Sequence, residues 1–258
     1  MKELALGLLG AFLLSTASYA DIVGREVDYQ ADGVQLKGYI AYDNNIRGKR
    51  PGIVVVHEWW GHNEYVRHRA RMLAKLGYTA LAVDMYGAGK HTRHPADAQK
   101  FVQEAMANMP EFEDRFRAGL KILRNEPTVD PERIAAIGYC FGGATVMQLA
   151  YAGADLKGVV SFHGSLPPPN GDEAKNVKGR VLIEHGNDDA FVPPERVNAF
   201  KAAMASAGVD LTFHGHDGAR HAFTSPDADS FGIDNLKYNA AADESSWQSM
   251  QQFFREIF

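Results

Sequence analysis

The only cysteine of this 258-residue sequence lies in the segment Gly138-Tyr139-Cys140-Phe141-Gly142-Gly143. Apolar residues at 134–137 predict a buried strand before it, and a mostly apolar run at 144–150 predicts a helix after it. A sharp turn from strand to helix lifts its central residue above the sheet, and nearby glycines relieve the crowding of such a turn. The following helix N-terminus favours a thiolate. The pattern therefore predicts that Cys140 is a nucleophile.

A lone cysteine is also often a small buried apolar residue, so the interpretation depends on partners elsewhere in the chain. Asp189 and His221 each follow a later predicted strand, in the order that this architecture requires. His221 would accept the thiol proton and return it to the leaving group, while Asp189 would fix the imidazole tautomer. Asp188, one residue earlier in the same loop, competes with Asp189 as the acid. The thiolate would attack a carbonyl carbon and form an acyl-enzyme.

An acyl transfer of this kind produces an oxyanion that needs preorganised hydrogen-bond donors. The backbone N–H of Phe141, directly after the nucleophile, is the first predicted donor. The second is expected in the loop after His57-Glu58, and we assign it to the backbone N–H of Trp59.

Other histidines allow a metal site as an alternative. His214 and His216 alternate near the strand that precedes His221, so the three imidazoles have a spacing that a metal ion accepts. We predict no metal and no cofactor because the acid–base role already uses His221. His163 and His185 follow strand ends and are expected to line the pocket. The remaining histidines considered are expected at the surface: His62, His68, His91 and His94.

The predicted elements alternate between strands and helices along most of the chain. After a hairpin at 27–42, strands are predicted at 52–57, 79–83, 134–137, 158–162, 180–184 and 210–214, and helices at 66–76, 96–109, 112–124, 144–150, 194–207 and 245–258. Right-handed crossovers then give a mostly parallel sheet with helices on both faces. The sequence shows no linker or repeat, so we predict a single α/β domain over 21–258. The loop 167–171 is expected to overhang the site.

The composition is that of a soluble globular protein, with 45% hydrophobic and 23% charged residues. A formal net charge of -5 and the lack of a basic run argue against nucleic acid as a partner. We expect a monomer that acts on a small molecule.

The first 20 residues differ from the rest. An apolar run at 4–14 follows Lys2, and Ser18-Tyr19-Ala20 supplies the small residues of a cleavage site. This pattern predicts a secretory signal peptide, cut after Ala20, and a periplasmic or secreted protein that is not membrane-bound after cleavage. An uncleaved anchor is the alternative, but the run is short for a bilayer span.

In combination these motifs resemble the dienelactone hydrolase family, the cysteine-bearing branch of the α/β-hydrolases. The matching segments are 57–61, 84–87, 138–143, 189–193, 221–223 and 238–247. The resemblance implies a three-layer α/β-hydrolase fold and an esterase acting on esters, lactones or thioesters through a Cys140-Asp189-His221 catalytic triad. It also implies that Glu58 neighbours the cysteine and controls its protonation, whereas an arbitrary loop glutamate would be solvated.

The sequence departs from the family where carboxylated lactones are held by two arginines. Ala88 and Ser225 occupy the corresponding positions, while Lys90, Arg93 and Arg220 are out of register. The expected substrates are therefore neutral. Two other functions remain open: a non-catalytic ligand-binding protein with Cys140 merely buried, and an acyltransferase whose site excludes water.

Overall fold

The computed structural model describes residues 20–258. The predicted signal peptide, apart from Ala20, lies outside these described residues and stays a prediction. The strands are β1 (Ile22–Ala31), β2 (Val34–Asp43), β3 (Arg50–Val56), β4 (Thr79–Val83), β5 (Val129–Tyr139), β6 (Gly158–Phe162), β7 (Arg180–Gly186) and β8 (Leu211–His216). The helices are α1 (Glu64–Lys75), α2 (Pro95–Met106), α3 (Met109–Arg124), α4 (Phe141–Tyr151), α5 (Pro194–Ser206) and α6 (Ala240–Ile257).

The strands form one sheet in the order β1-β2-β4-β3-β5-β6-β7-β8. The pairs β1–β2 and β2–β4 are antiparallel, and all pairs from β4 through β8 are parallel. The predicted hairpin and the predicted mostly parallel sheet are both present, and the hairpin forms one edge of that sheet. Because parallel strands end at the same edge, the loops after β3, β5, β7 and β8 gather together there.

The alternation of side chains along β3 shows why the sheet needs two helical layers. All residues of β3 are buried. Val54 and Val56 pack with α3, α4 and α5, whereas Ile53 and Val55 pack with α1 and α6 on the opposite face. Successive side chains of a strand point to opposite faces, so a continuous apolar run is stable only when both faces are covered. The predicted three-layer α/β-hydrolase architecture is confirmed.

Differences from the predicted elements are confined to their ends. The last helix begins at Ala240 rather than 245, because the side chain of Asn239 accepts a hydrogen bond from the N–H of Ala242 and caps the helix there. The strand before Cys140 begins at Val129 rather than 134. Within residues 20–258, no helix is long and apolar enough to cross a bilayer.

Candidate active site

Cys140 lies at the sharp turn that joins β5 to α4. Its backbone has φ 54° and ψ −114°, which is strained for any residue with a side chain and costs about 1–3 kcal/mol. A Cβ atom on Gly138 would lie 2.0 Å from the carbonyl oxygen of Gly142, and one on Gly142 would lie 2.3 Å from that of Val56. Both glycines are therefore required by the turn, which presents Cys140 partly exposed at the carboxyl edge of the sheet.

Asp189 and His221 come together from the loops after β7 and β8. The Nδ1 atom of His221 donates to Oδ2 of Asp189 at 2.7 Å. The other oxygen, Oδ1, accepts from the backbone N–H of Phe191 at 2.9 Å and from the side-chain amide of Asn235 at 3.0 Å. Asp188 is exposed and does not take this position. Sequence reasoning did not identify Asn235, because nothing in its local pattern indicates a contact 46 residues away.

His221 and Cys140 line the same cavity, so the imidazole that is bound to Asp189 also lies on the wall that carries the thiol. Burial by itself lowers the pKa of His221, but the charge of Cys140 and the hydrogen bond with Asp189 outweigh burial and raise this pKa to about 10. The raised pKa makes the imidazole of His221 a stronger acceptor for a proton from the neighbouring thiol. Chemically, such a pair places a nucleophile and a group that can take up and return its proton on one cavity wall.

Glu58 is buried, with 3% of its surface exposed, and its Oε1 atom has no hydrogen-bond partner among the described residues. It is therefore not the solvated loop carboxylate that the sequence left open. Burial raises its pKa from 4.5 to about 7, although the charges of His221 and Arg69 oppose the rise. The control of thiol protonation by Glu58 stays a prediction.

The buried carboxyl of Glu58 gives a pH-dependent expectation for stability. A carboxyl whose pKa is higher in the folded state destabilises the fold above that pKa and has no such effect below its unfolded value. We expect Glu58→Gln to raise the free energy of unfolding at pH 8 by up to about 3 kcal/mol, since each pKa unit corresponds to ~1.4 kcal/mol. The gain should vanish near pH 4.5, which is the ordinary pKa of the side chain.

Urea unfolding of the wild type and Glu58→Gln at both pH values measures this difference. The matched control is Glu132→Gln, because Glu132 is exposed and its neutralisation should change stability little at either pH. If Glu58→Gln changed the free energy of unfolding equally at both pH values, the buried, ionised carboxylate would not be what destabilises the fold.

Phe141 and Trp59, whose backbone N–H groups are the predicted oxyanion donors, line the same cavity as Cys140. Phe141 is the first residue of α4, where backbone N–H groups have no partner within the helix. The turn that carries Trp59 is closed by the N–H of Gly61, which donates to the carbonyl of Glu58 at 3.1 Å. The hydroxyl of Tyr86 donates to the carbonyl of Trp59 at 3.1 Å and holds that loop in place. The hydrogen bond that closes this turn is donated by Gly61 and does not use the backbone N–H of Trp59.

A cavity of about 540 Å³ opens beside Cys140 and His221. Its wall is mostly apolar and includes the rings of Trp59 and Phe191. Pro167 also lines it, so the beginning of the loop 167–171 reaches the cavity. Further apolar wall residues are Val102, Met106, Phe112, Ala144 and Leu236, and the polar ones are Gln99, Thr145, Gln148 and Ser165. Among the described residues, no lysine, arginine, aspartate or glutamate lines this cavity.

The two arginines that were out of register in the sequence, Arg93 and Arg220, are engaged outside the cavity. Arg93 donates to the hydroxyl of Ser230 at 2.7 Å, and its guanidinium carbon lies 4.6 Å from the ring centroid of Phe231. Arg220 donates to the carbonyl oxygen of Asp234 at 2.9 Å. Neither arginine therefore takes the place of the two carboxylate-binding arginines, whose positions are occupied by Ala88 and Ser225.

The remaining histidines occupy varied environments. His214 and His216 lie 3.2 and 2.7 Å from the carboxylate oxygens of buried Glu184. Over residues 20–258, no group of three or more His, Cys, Asp or Glu side chains is arranged to hold a metal ion.

The prediction that His62 is at the surface is wrong: the residue is 1% exposed. Its Nε2 atom lies 3.2 Å from the carbonyl of Ala82, a partner that allows burial of the ring.

His163 and His185 are buried near the site but do not line the cavity, contrary to the expectation from sequence. His163 lies behind Cys140, where its Nδ1 atom is 3.1 Å from the backbone nitrogen of the nucleophile. The feature of the sequence that could have indicated this contact is that His163 directly follows β6, which pairs with β5.

Comparisons with known proteins agree with this geometry. The chain is similar to a dienelactone hydrolase-like promiscuous phosphotriesterase from metagenomic libraries, with 38% identity and a TM-score of 0.89 over 93% of this chain and 100% of that one. It is 28% identical to a putative carboxymethylenebutenolidase of Aquifex aeolicus, over 78% of this chain and 87% of the relative. It is also 28% identical to protein usf of Aquifex pyrophilus, over 91% of this chain and 99% of the relative.

The model of the dienelactone hydrolase family matches residues 36–258, which span almost all of the described domain and every candidate site residue. The match, the sheet order and the Cys140 turn support one another. The protein is a hydrolase that belongs to the dienelactone hydrolase family.

Proposed function

We propose that this hydrolase cleaves neutral esters, lactones or thioesters through an acyl-cysteine intermediate on Cys140. The observation that carries the proposal is the position of His221, which is hydrogen bonded to Asp189 and lines the same cavity as Cys140. The mechanism uses side chains and backbone groups of this chain alone.

In the proposed reaction, Nε2 of His221 takes the proton of the Cys140 thiol, and the thiolate attacks the carbonyl carbon of the substrate. The oxyanion is bound by the backbone N–H groups of Phe141 and Trp59. His221 then gives its proton to the leaving alkoxide or thiolate. Water, activated by the same imidazole, attacks the acyl-cysteine and releases the acid and the free thiol. Asp189 holds Nδ1–H throughout and stabilises the imidazolium.

The cavity supports neutral substrates. Its volume of about 540 Å³ lies within the usual range for small-molecule sites, and its wall is mostly apolar. A carboxylate placed there would lose its hydration without gaining a lysine or arginine partner, which is costly. A neutral acyl or lactone group has no such cost.

We therefore expect the methyl ester of a carboxylated lactone to be hydrolysed with a higher kcat/KM than the free acid, by about tenfold or more. The factor follows from the ~1.5–3 kcal/mol that a hydrogen bond to a charged group contributes and that the free acid cannot regain here. The measurement compares the lactone ring opening of the matched pair at moderate salt.

The informative control repeats the comparison with Arg93→Ala and Arg220→Ala. Both variants should keep the preference for the neutral lactone, because the two side chains contact Ser230 and Asp234 rather than the cavity. A preference of the wild type for the free acid, lost in either variant, would identify that arginine as a mobile anchor and overturn the proposal of neutral substrates.

One second candidate is hydrolysis of neutral phosphotriesters. The similar protein at 38% identity is described as a promiscuous phosphotriesterase, and a mostly apolar cavity without lysine, arginine or acidic side chains suits a triester, which carries no charge. Assay of a neutral aryl dialkyl phosphate beside the lactone pair tests this activity.

The alternatives of a binding protein and an acyltransferase are separated by the same assays, since the first gives no turnover and the second needs an acceptor alcohol or amine.

We also propose that the enzyme acts in the periplasm or outside the cell. This rests only on the pattern of residues 1–20. A mature chain that begins at Asp21, found by mass spectrometry of the exported protein, would support it.

A further inference from the structure

The backbone N–H of Cys140 contacts two acceptors. One is the carbonyl oxygen of Phe162 at 3.0 Å, which is a bond between the neighbouring strands β5 and β6. The other is Nδ1 of His163 at 3.1 Å. His163 is fully buried and has φ 40°, so it is itself held in a conformation that is uncommon for residues with a side chain. A strained residue thus contacts the strained turn of the nucleophile.

The opposite edge of the same ring contacts the loop that carries His221. Nε2 of His163 lies 2.7 Å from the hydroxyl oxygen of Thr224, which is buried and three residues beyond His221. The ring centroids of His163 and His221 are 5.3 Å apart. One imidazole therefore bridges the backbone of the nucleophile and the loop of its candidate base.

The protonation of His163 follows from its partners. An N–H of the backbone can only donate, so Nδ1 of His163 must be unprotonated to accept from Cys140. The remaining proton is then on Nε2, which donates to Thr224. Burial, and then the positive charges of His221 and Arg69, hold the pKa of His163 well below its ordinary value. The bridge thus works with a neutral ring of one tautomer.

Thr224 is in turn fixed from α1 and α6. Its hydroxyl lies 2.6 Å from the hydroxyl of Tyr65, and its carbonyl accepts from the guanidinium of Arg69 at 2.5 Å. Arg69 is 3% exposed and is paired with Asp243 at 2.6 Å. Buried and hydrogen-bonded polar groups of this kind restrict one another to a single arrangement. Thr224 is consequently a fixed point rather than a mobile loop residue.

We propose that His163 is a positioning residue, which through Thr224 sets the distance between the Cys140 turn and the loop of His221. The proposal rests on the proposed function, in which Cys140 and His221 act as a pair. His163 does not contact the cavity, so its effect reaches the substrate only through the placement of the nucleophile. Small displacements of a nucleophile have large effects on turnover, about a hundredfold for 1 Å.

The test compares Thr224→Val, which removes the hydroxyl at nearly constant shape, with Thr224→Ser, which keeps it. We expect Thr224→Val to lower kcat for a neutral ester by about ten- to a hundredfold while KM changes less than about twofold. Thr224→Ser should recover most of that loss. The pH at which iodoacetamide alkylates Cys140 at half its maximal rate should rise in the valine variant and not in the serine variant, because a displaced imidazole stabilises the thiolate less.

Alkylation needs no substrate, so the two proposals can fail separately. If the wild type hydrolyses no ester and the alkylation profiles still differ as expected, the proposed function fails and the positioning role stands. If the wild type is active and the valine variant matches it in kcat and in alkylation, the positioning role is overturned. It is also overturned if Thr224→Ser loses as much kcat as Thr224→Val. Should the valine variant not fold, Thr224→Ala removes the same hydroxyl without a branched side chain and is judged against serine by the same criteria.

Discussion

Cys140→Ala is expected to abolish hydrolysis of neutral esters and to leave the fold intact. Removal of a nucleophile from a serine-type site lowers kcat by roughly 10⁴–10⁶-fold, and a cysteine site that forms an acyl-enzyme should lose a comparable factor. Alanine fits the turn, because it is smaller than cysteine and adds no branched carbon at φ 54°. The measurements are kcat/KM for a neutral aryl ester and the thermal unfolding temperature of both proteins.

Two controls sharpen this experiment. Cys140→Ser should also lose most of the activity, since an alcohol needs a stronger base than a site arranged for a thiol. Because Cys140 is the only cysteine, iodoacetamide should add one label to the wild type and inactivate it in proportion to labelling. Activity near the wild-type level in Cys140→Ala would rule out the covalent mechanism, and a thiol that resists labelling would favour the ligand-binding alternative.

Asp189→Asn is expected to lower kcat by about 10³–10⁴-fold without unfolding the protein. Oδ1 of Asp189 accepts two N–H donors, from Phe191 and Asn235. The oxygen of an asparagine amide must therefore take that place, and its NH₂ group must face Nδ1 of His221. Nδ1 of His221 must then accept a hydrogen bond from this NH₂ group, so the proton of the neutral imidazole moves to Nε2. In that tautomer His221 can no longer take the proton of Cys140.

The matched control is Asp188→Asn, one residue earlier in the same loop. Asp188 is exposed, and the contact that the structure shows for it is the backbone bond from its N–H to the carbonyl of Ala219. We expect less than about a threefold change in kcat for this variant, as for most exposed sites. Effects of the reverse order would mean that Asp188 is the acid of the site.

The sequence by itself determined the elements and the chain order of the chemistry. The β-branched and apolar runs predicted the strands at β4 and β6 with the bounds that the structure shows. The glycines around Cys140 predicted a turn that a Cβ atom at either position would block. These features depend on residues close together in the chain, through backbone sterics and the period of side-chain directions, so a local pattern suffices to read them.

Tertiary structure alone decided which groups share an environment. The contact of His163 with Thr224 joins residues 61 positions apart, and that of Arg69 with the carbonyl of Thr224 joins residues 155 positions apart. The burial of Glu58 and His62, and the lack of lysine, arginine and acidic side chains on the cavity wall, likewise follow from how layers pack rather than from neighbours in the chain. Desolvation and hydrogen bonding depend on everything within a few ångströms of a group, whatever its distance along the sequence. For this reason the sequence named the candidate nucleophile, acid and base, while only the folded chain showed what holds them in place.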